Sequence, residues 1–200
     1  MQRQELINYF QSHGGVAQVS AILKAGFYTD SLNALENGGK VKKIAHGLYR
    51  LTNYKRGFNS DLIAASIQEH RGVICLLSAL VFYKVTDKIP NSVDIAIMQG
   101  VTASKIKHPA VTFYRFPTEP WAVGIERHEI EGHKVKIYNI AKTIVDCFKF
   151  RDKIDIDVAK HALKVALMKK DVESSEIMHY ADIWRIDSVV KPVLEDALRL

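Results

Sequence analysis

Five basic side chains fall within eleven residues: Lys40, Lys42, Lys43, His46 and Arg50. Positive charge clustered at that spacing attracts phosphate. Just upstream stand Tyr28, Thr29, Asp30, Ser31 and Asn33. An Asn amide can pair with both the donor and the acceptor on an adenine edge, and Ser or Thr hydroxyls can take phosphate or base contacts. These two groups suit the binding of nucleic acid better than the turnover of a substrate. The charge distribution points the same way. Up to Phe58 there are eight Lys and Arg against three acids, a net +5, whereas residues 59–200 hold 20 basic and 19 acidic residues. Most of the chain's +6 therefore sits in its first 58 residues, as expected of a phosphate-binding module.

The elements that would hold these residues can be read from periodicity. Gln4 to His13 carries Leu6, Ile7, Tyr9 and Phe10 on one helical face, and Gly14-Gly15 ends it. Val16 to Ala25 repeats the helical pattern, with Gly26 supplying the turn after it. Thr29 is expected to N-cap a third helix through Glu36, with Asp30 in the first turn to suit the helix dipole. Lys40 to Leu51 then reads as two short strands around His46-Gly47. Three helices followed by a glycine-turned hairpin is the order of a winged helix-turn-helix, whose third helix enters the major groove. Lys40, Lys42, Lys43, His46 and Arg50 would line the wing, where phosphate or minor-groove contact is expected. The third helix has no Arg or Lys, so affinity rests on the wing. Winged helices also serve as protein-interaction modules, and that reading stays open.

Residues 1–55 are expected to form this domain, Tyr54 to Asn59 a linker, and residues 56–200 an α+β domain. Asp61 to His70 looks helical. Val73 to Tyr83 is either a buried helix or a strand running into one. Val93 to Met98 alternates as a half-buried strand does, and so does Val111 to Phe116. Gly124 to Ile130 and Val135 to Tyr138 flank a turn at Glu131-Gly132-His133. After Tyr138 the period becomes helical. Asn139 can cap a helix bearing Ile140, Ile144, Val145 and Phe148. Further helices are expected over Asp155 to Lys170, from a Ser174 or Ser175 cap to Trp184, and from Asp187 to Leu200. Pro192 should fall near the first turn of the last helix or kink it.

Several classes of function find no support. No apolar stretch approaches the roughly 20 residues a membrane helix needs, and the N-terminus has no signal-peptide pattern; a cytoplasmic location is expected. Cys75 and Cys147 read as reduced, buried thiols. His128 and His133 flank Glu129 and Glu131 on a hairpin, but there is no third ligand to place, no HExxH and no Cys-x-x-Cys, so these read as solvated edge residues and no metal is expected. A metal-dependent nuclease needs clustered carboxylates and a lysine. Asp94 lies on a strand, yet Glu131 and Lys134 are offset onto opposite faces, and Asp146 reads as a helix-surface or capping residue. No P-loop, dinucleotide fingerprint or nucleophile elbow appears. No catalytic residue and no cofactor is expected, and the chain is expected not to be an enzyme. Lys160 and Lys164 share a helix face with Lys153 and Lys169-Lys170 at its ends. They are candidates for a partner-docking or second DNA surface, against the plainer reading of a solvated face balanced by Asp152, Asp155 and Asp157.

The chain resembles the AbiE-type antitoxins (AbiEi), the antitoxin half of a bacterial abortive-infection toxin–antitoxin pair. Three stretches carry the likeness: His46-Gly47-Leu48-Tyr49-Arg50; Leu77-Ser78-Ala79-Leu80 followed by Val93-Asp94-Ile95-Ala96-Ile97; and Val135-Lys136-Ile137-Tyr138 leading into Ala141-Lys142-Thr143-Ile144-Val145-Asp146. The resemblance implies an N-terminal domain that binds operator DNA and represses its own operon. It also implies a second domain that counters a toxin of nucleotidyltransferase type. The nucleotidyltransferase pattern itself is missing, so this chain would not be the toxin. A module this small would bind an inverted repeat as two copies, so a dimer on DNA is expected. The alternatives are a plain winged-helix regulator whose second domain dimerises or senses a ligand and, further off, a nuclease-like enzyme.

Overall fold

A computed structural model describes residues 2–54 and 57–199, and the chain divides into two compact units. The first comprises residues 1–70, 104–111 and 128–135; the second comprises 71–103, 112–127 and 136–200. Lys55 and Arg56, where the sequence suggests the domain break, lie outside the described residues.

The first unit begins with α1 (Gln2–Ser12), β1 (Val16–Gln18), α2 (Val19–Lys24) and α3 (Thr29–Asn37), followed by β2 (Val41–Ala45) and β3 (Leu48–Leu51). One expectation changes here. The helical pattern from Val16 begins with a strand, because Val16, Ala17 and Gln18 pair antiparallel with Arg50, Tyr49 and Leu48. Three residues cannot display a period, so a strand this short is absorbed into the following helical pattern. A second expectation, Thr29 as N-cap, changes at α3. Tyr28 holds the N-cap position and Thr29 is already helical. The sheet order is β1-β3-β2, antiparallel throughout, with the β2–β3 register slipping between Lys43 and Ala45. Leu6 and Phe10 of α1, Ile22 of α2, and Leu32 and Leu35 of α3 converge with Val41 and Leu51 of the strands in one core. Each such side chain stabilises the fold by roughly 1.5–3 kcal/mol when fully buried. α4 (Phe58–Gln68) also belongs to this unit, so Phe58 and Asn59 belong to a helix rather than to a linker.

The second unit contains β4 (Val73–Ile74), α5 (Leu76–Phe82), β5 (Val93–Met98), and most of β6 (Val111–Phe116). α6 (Thr118–Ala122) follows, a short helix that the sequence reading did not anticipate. Next come β7 (Ile125–Ile130) and β8 (His133–Tyr138), whose tip residues 128–135 group with the first unit. The strand order is β6-β5-β4-β8-β7, a mixed sheet in which β4 pairs antiparallel with β5 and parallel with β8. Val73 to Tyr83 is thus a strand running into a helix. β5 is buried on both faces rather than one, with Asp94 and Ala96 as enclosed as Ile95. It lies inside the sheet order rather than at an edge, and such strands lose the polar face that alternation implies.

Four helices close the chain: α7 (Ile140–Lys149), α8 (Ile156–Lys169), α9 (Ser174–Trp184) and α10 (Asp187–Leu198). Asn139 caps α7 as expected, its Oδ1 accepting from the Lys142 N–H at 2.8 Å. α7 is buried on every side from Ala141 to Phe148, as a helix wrapped by other elements must be. Glu173, not a serine, precedes α9, and its N–H donates to the Glu176 carboxylate at 3.0 Å. Pro192 is the sixth residue of α10, past the first turn.

Candidate nucleic-acid interface

α3 turns Leu32 and Leu35 inward, which leaves Tyr28, Thr29, Asp30 and Asn33 exposed along its first turns. Tyr28 is 64% exposed, unusual for an aromatic ring with no part in the core. Ser31 is less available: it is half-buried, and its hydroxyl donates to the Gln2 side chain at 3.3 Å. The acid further along α3 is drawn inward, because the Tyr49 hydroxyl donates to the Glu36 carboxylate. Burial, and then that contact, push the Tyr49 pKa up.

Lys40, Lys42, Lys43 and His46 are exposed on the β2–β3 hairpin and its approach. No ion pair involves the three lysines among the described residues. Consecutive strand residues point to opposite faces, yet Lys42 and Lys43 are both exposed because β2 is an edge strand. Lysines on an edge strand also discourage strand-to-strand aggregation. That role accounts for one or two lysines and not for His46 and Lys40 beyond the strand.

Arg50 is a correction. It was expected on the wing, but it is 3% exposed and its guanidinium donates to Asp61 of α4 at 3.1 Å. Arg50 therefore ties β3 to α4 and offers nothing to a phosphate. The signal that could have exposed this was weak: an acid eleven residues on, with no local spacing rule to pair them.

His133 is a second correction, since it is no solvated edge residue. Its Nε2 lies 3.1 Å from both the His13 and Val16 carbonyls, so Nε2 carries the proton and donates to them. Burial pulls its pKa down, with the carbonyls opposing and His13 adding to the fall. The His13 ring stacks on Tyr9 at 4.0 Å and meets His133 edge-on at 5.8 Å. Glu131 accepts from the Tyr54 hydroxyl at 3.2 Å. Glu131 and Gly132 both have positive φ, forming the tight β7–β8 turn. A Cβ at Gly132 would stand 2.9 Å from the His13 ring, so the turn needs glycine for space as well as for φ. His133 is thus a structural residue of this hairpin. No group of three His, Cys, Asp or Glu side chains among the described residues could hold a metal ion.

In the second unit the nuclease-like candidates are enclosed. Asp94 is 4% exposed; its backbone N–H donates to the Ser78 hydroxyl at 2.9 Å, and its carboxylate accepts the Ser78 N–H at 3.3 Å. Burial lifts its pKa to about 6 against those hydrogen bonds. Asp146 is a third correction: it is wholly buried, not a surface or capping residue. Its Oδ1 accepts from Lys142 one helical turn back and from the Trp184 indole at 2.5 Å. Lys142 Nζ lies 4.3 Å from the Tyr138 ring centre, 4.9 Å from Phe116 and 5.3 Å from Trp184. A sealed carboxylate of this kind holds a fold together and does not receive a substrate.

The second lysine group is largely engaged. Lys160 pairs with Asp157 at 3.5 Å, and the shallow surface it shares with Lys164 also carries Asp157 and Asp196. Lys169 donates to the Lys84 carbonyl at 2.8 Å, and Lys153 lies over the Tyr114 ring. The cysteines are buried as free thiols, with pKa values raised by burial. No helix among the described residues is long and apolar enough to cross a membrane.

The sequence matches no protein-family model, and no match was found among the curated proteins.

Proposed function

We propose that the first unit is a winged helix that binds operator DNA, and that the chain is an antitoxin and autorepressor of the AbiE type. The observation that carries the DNA reading is the row Lys40, Lys42 and Lys43, exposed and free of ion pairs among the described residues, beside an exposed α3 start. The element order and the β1-β3-β2 sheet suit this reading. In the proposed mechanism the hairpin lysines neutralise backbone phosphates and supply salt-dependent affinity. Asn33, Thr29 and Tyr28 meet base edges and supply selectivity. Occupying an operator that overlaps the promoter blocks transcription sterically. Two copies on an inverted repeat would match the small size of the module. The partner of the second unit is proposed to be a nucleotidyltransferase-type toxin, on the resemblance alone.

The test is binding to the DNA upstream of the gene at several salt concentrations. Replacing Lys40, Lys42 and Lys43 with Ala should weaken binding to every duplex and flatten the salt slope by about one per lost phosphate contact. Replacing Asn33 with Ala should cost the upstream duplex more than a scrambled one. A triple lysine variant with an unchanged slope would remove the hairpin from the phosphate surface.

A further inference from the structure

Lys105 and Lys107 add two cations to the first unit from outside its helix–hairpin segment. They lie in residues 104–111, which belong to the first unit although the sequence reaches them only after β5. Both are exposed, and no ion pair involves either among the described residues. With Lys43, His46 and Gln68 they line one open concavity of about 430 Å³. No carboxylate lines it. Three ammonium groups facing one hollow repel each other unless an anion is present.

The end of α4 holds this segment in place. The buried Glu69 carboxylate accepts the Ser104 N–H at 2.8 Å. The Gln68 amide donates to the His108 carbonyl at 2.8 Å and to the Ala64 carbonyl at 2.9 Å. The segment is therefore fastened on both sides of Lys105 and Lys107. Their backbone is fixed before any ligand arrives, which reduces the ordering cost of binding.

We propose that Lys105 and Lys107, together with Lys43 and His46, form a second phosphate site for the backbone of double-stranded DNA. Gln68 and Glu69 are its positioning residues. This inference rests on the DNA-binding reading above and extends it to a segment outside the helix–hairpin module. The site reads no sequence, since ammonium groups contact phosphate without base information.

The experiment uses the full chain, a duplex of the sequence immediately upstream of the gene and a scrambled duplex of equal length. Binding is measured across a range of salt for the wild type, Lys105→Ala/Lys107→Ala and Lys105→Glu/Lys107→Glu. Thermal melts check that each variant is folded; substitutions at two exposed lysines should leave them unchanged. The expected result is weaker binding to both duplexes, with a salt slope lower by about one per lysine, and a deeper loss for the glutamate pair. Gln68→Ala should weaken binding with both lysines intact, an effect that mere surface charge would not produce. Wild-type binding with unchanged affinity and slope in both lysine variants would overturn the second site and leave the winged-helix reading standing. Absence of salt-dependent binding by the wild type would overturn both.

Discussion

Several lysines of the two units sit in opposite settings. In the first, Lys40, Lys42, Lys43, Lys105 and Lys107 are exposed without an ion pair among the described residues. In the second, Lys142 is buried against three aromatic rings and Asp146, Lys153 lies over Tyr114, Lys160 pairs with Asp157, and Lys169 meets a carbonyl. Charge counting alone would rank both as basic surfaces. What separates them is whether each ammonium already has a partner. A cation that is satisfied within the fold contributes to stability; one left exposed beside others raises the local potential and favours an anion.

The largest expected effect lies at the buried pair. Lys142→Ala strips the enclosed Asp146 carboxyl of its cation, and should destabilise the protein by about 3–5 kcal/mol, measured by urea unfolding. Replacing both partners with apolar residues of similar volume, Lys142→Met with Asp146→Leu, should recover much of that loss. If the single and double variants are equally unstable, the pair is not the source of the cost. Next comes Arg50. Because Asp61 is about a third exposed, Arg50→Ala should cost less, about 2 kcal/mol, while the salt slope for DNA stays as in the wild type. A lower slope with unchanged stability would return Arg50 to the phosphate surface.

The smallest effect is the response to acid, which should differ in sign between the units. The folded His133 resists protonation, so the unfolded chain takes the proton first. Its contribution is present above the ordinary histidine value of about 6.5 and is lost as pH falls toward the lowered folded value. Asp94 behaves oppositely. Raised to about 6, it takes up its proton in the folded state first, so its contribution grows as pH falls from about 6 toward the ordinary carboxylate range. His133→Gln should remove the acid-linked loss, and Asp94→Asn the acid-linked gain, in melts taken across that pH range. Identical pH profiles for both variants and the wild type would contradict these assignments.

Local chemistry was legible in the sequence. Asn139 capping α7 and the His46-Gly47 turn depend on neighbours within four residues, so spacing rules reach them. β1 was not legible, since a three-residue strand shows no period of its own. Lys142 and Asp146 could be seen as an i, i+4 pair, but a pair at that spacing is usually on the surface; only the packing of α7 against α5, α8 and α9 encloses it. Arg50 and Lys105 fail for the same reason in opposite directions. One basic residue is withdrawn from the proposed interface by Asp61, and another is brought to it by Glu69 and Gln68. Both outcomes depend on contacts across the chain that no window of sequence contains.

The most direct test of the central claim is the salt dependence of binding to upstream and scrambled duplexes, measured for the wild type and for Lys40→Ala/Lys42→Ala/Lys43→Ala. The expected result is selective, salt-sensitive binding by the wild type and a flatter slope for the variant, by about one per lost phosphate contact. Equal, salt-insensitive behaviour of the two proteins would contradict the claim that the unpaired lysines of the first unit form a DNA surface.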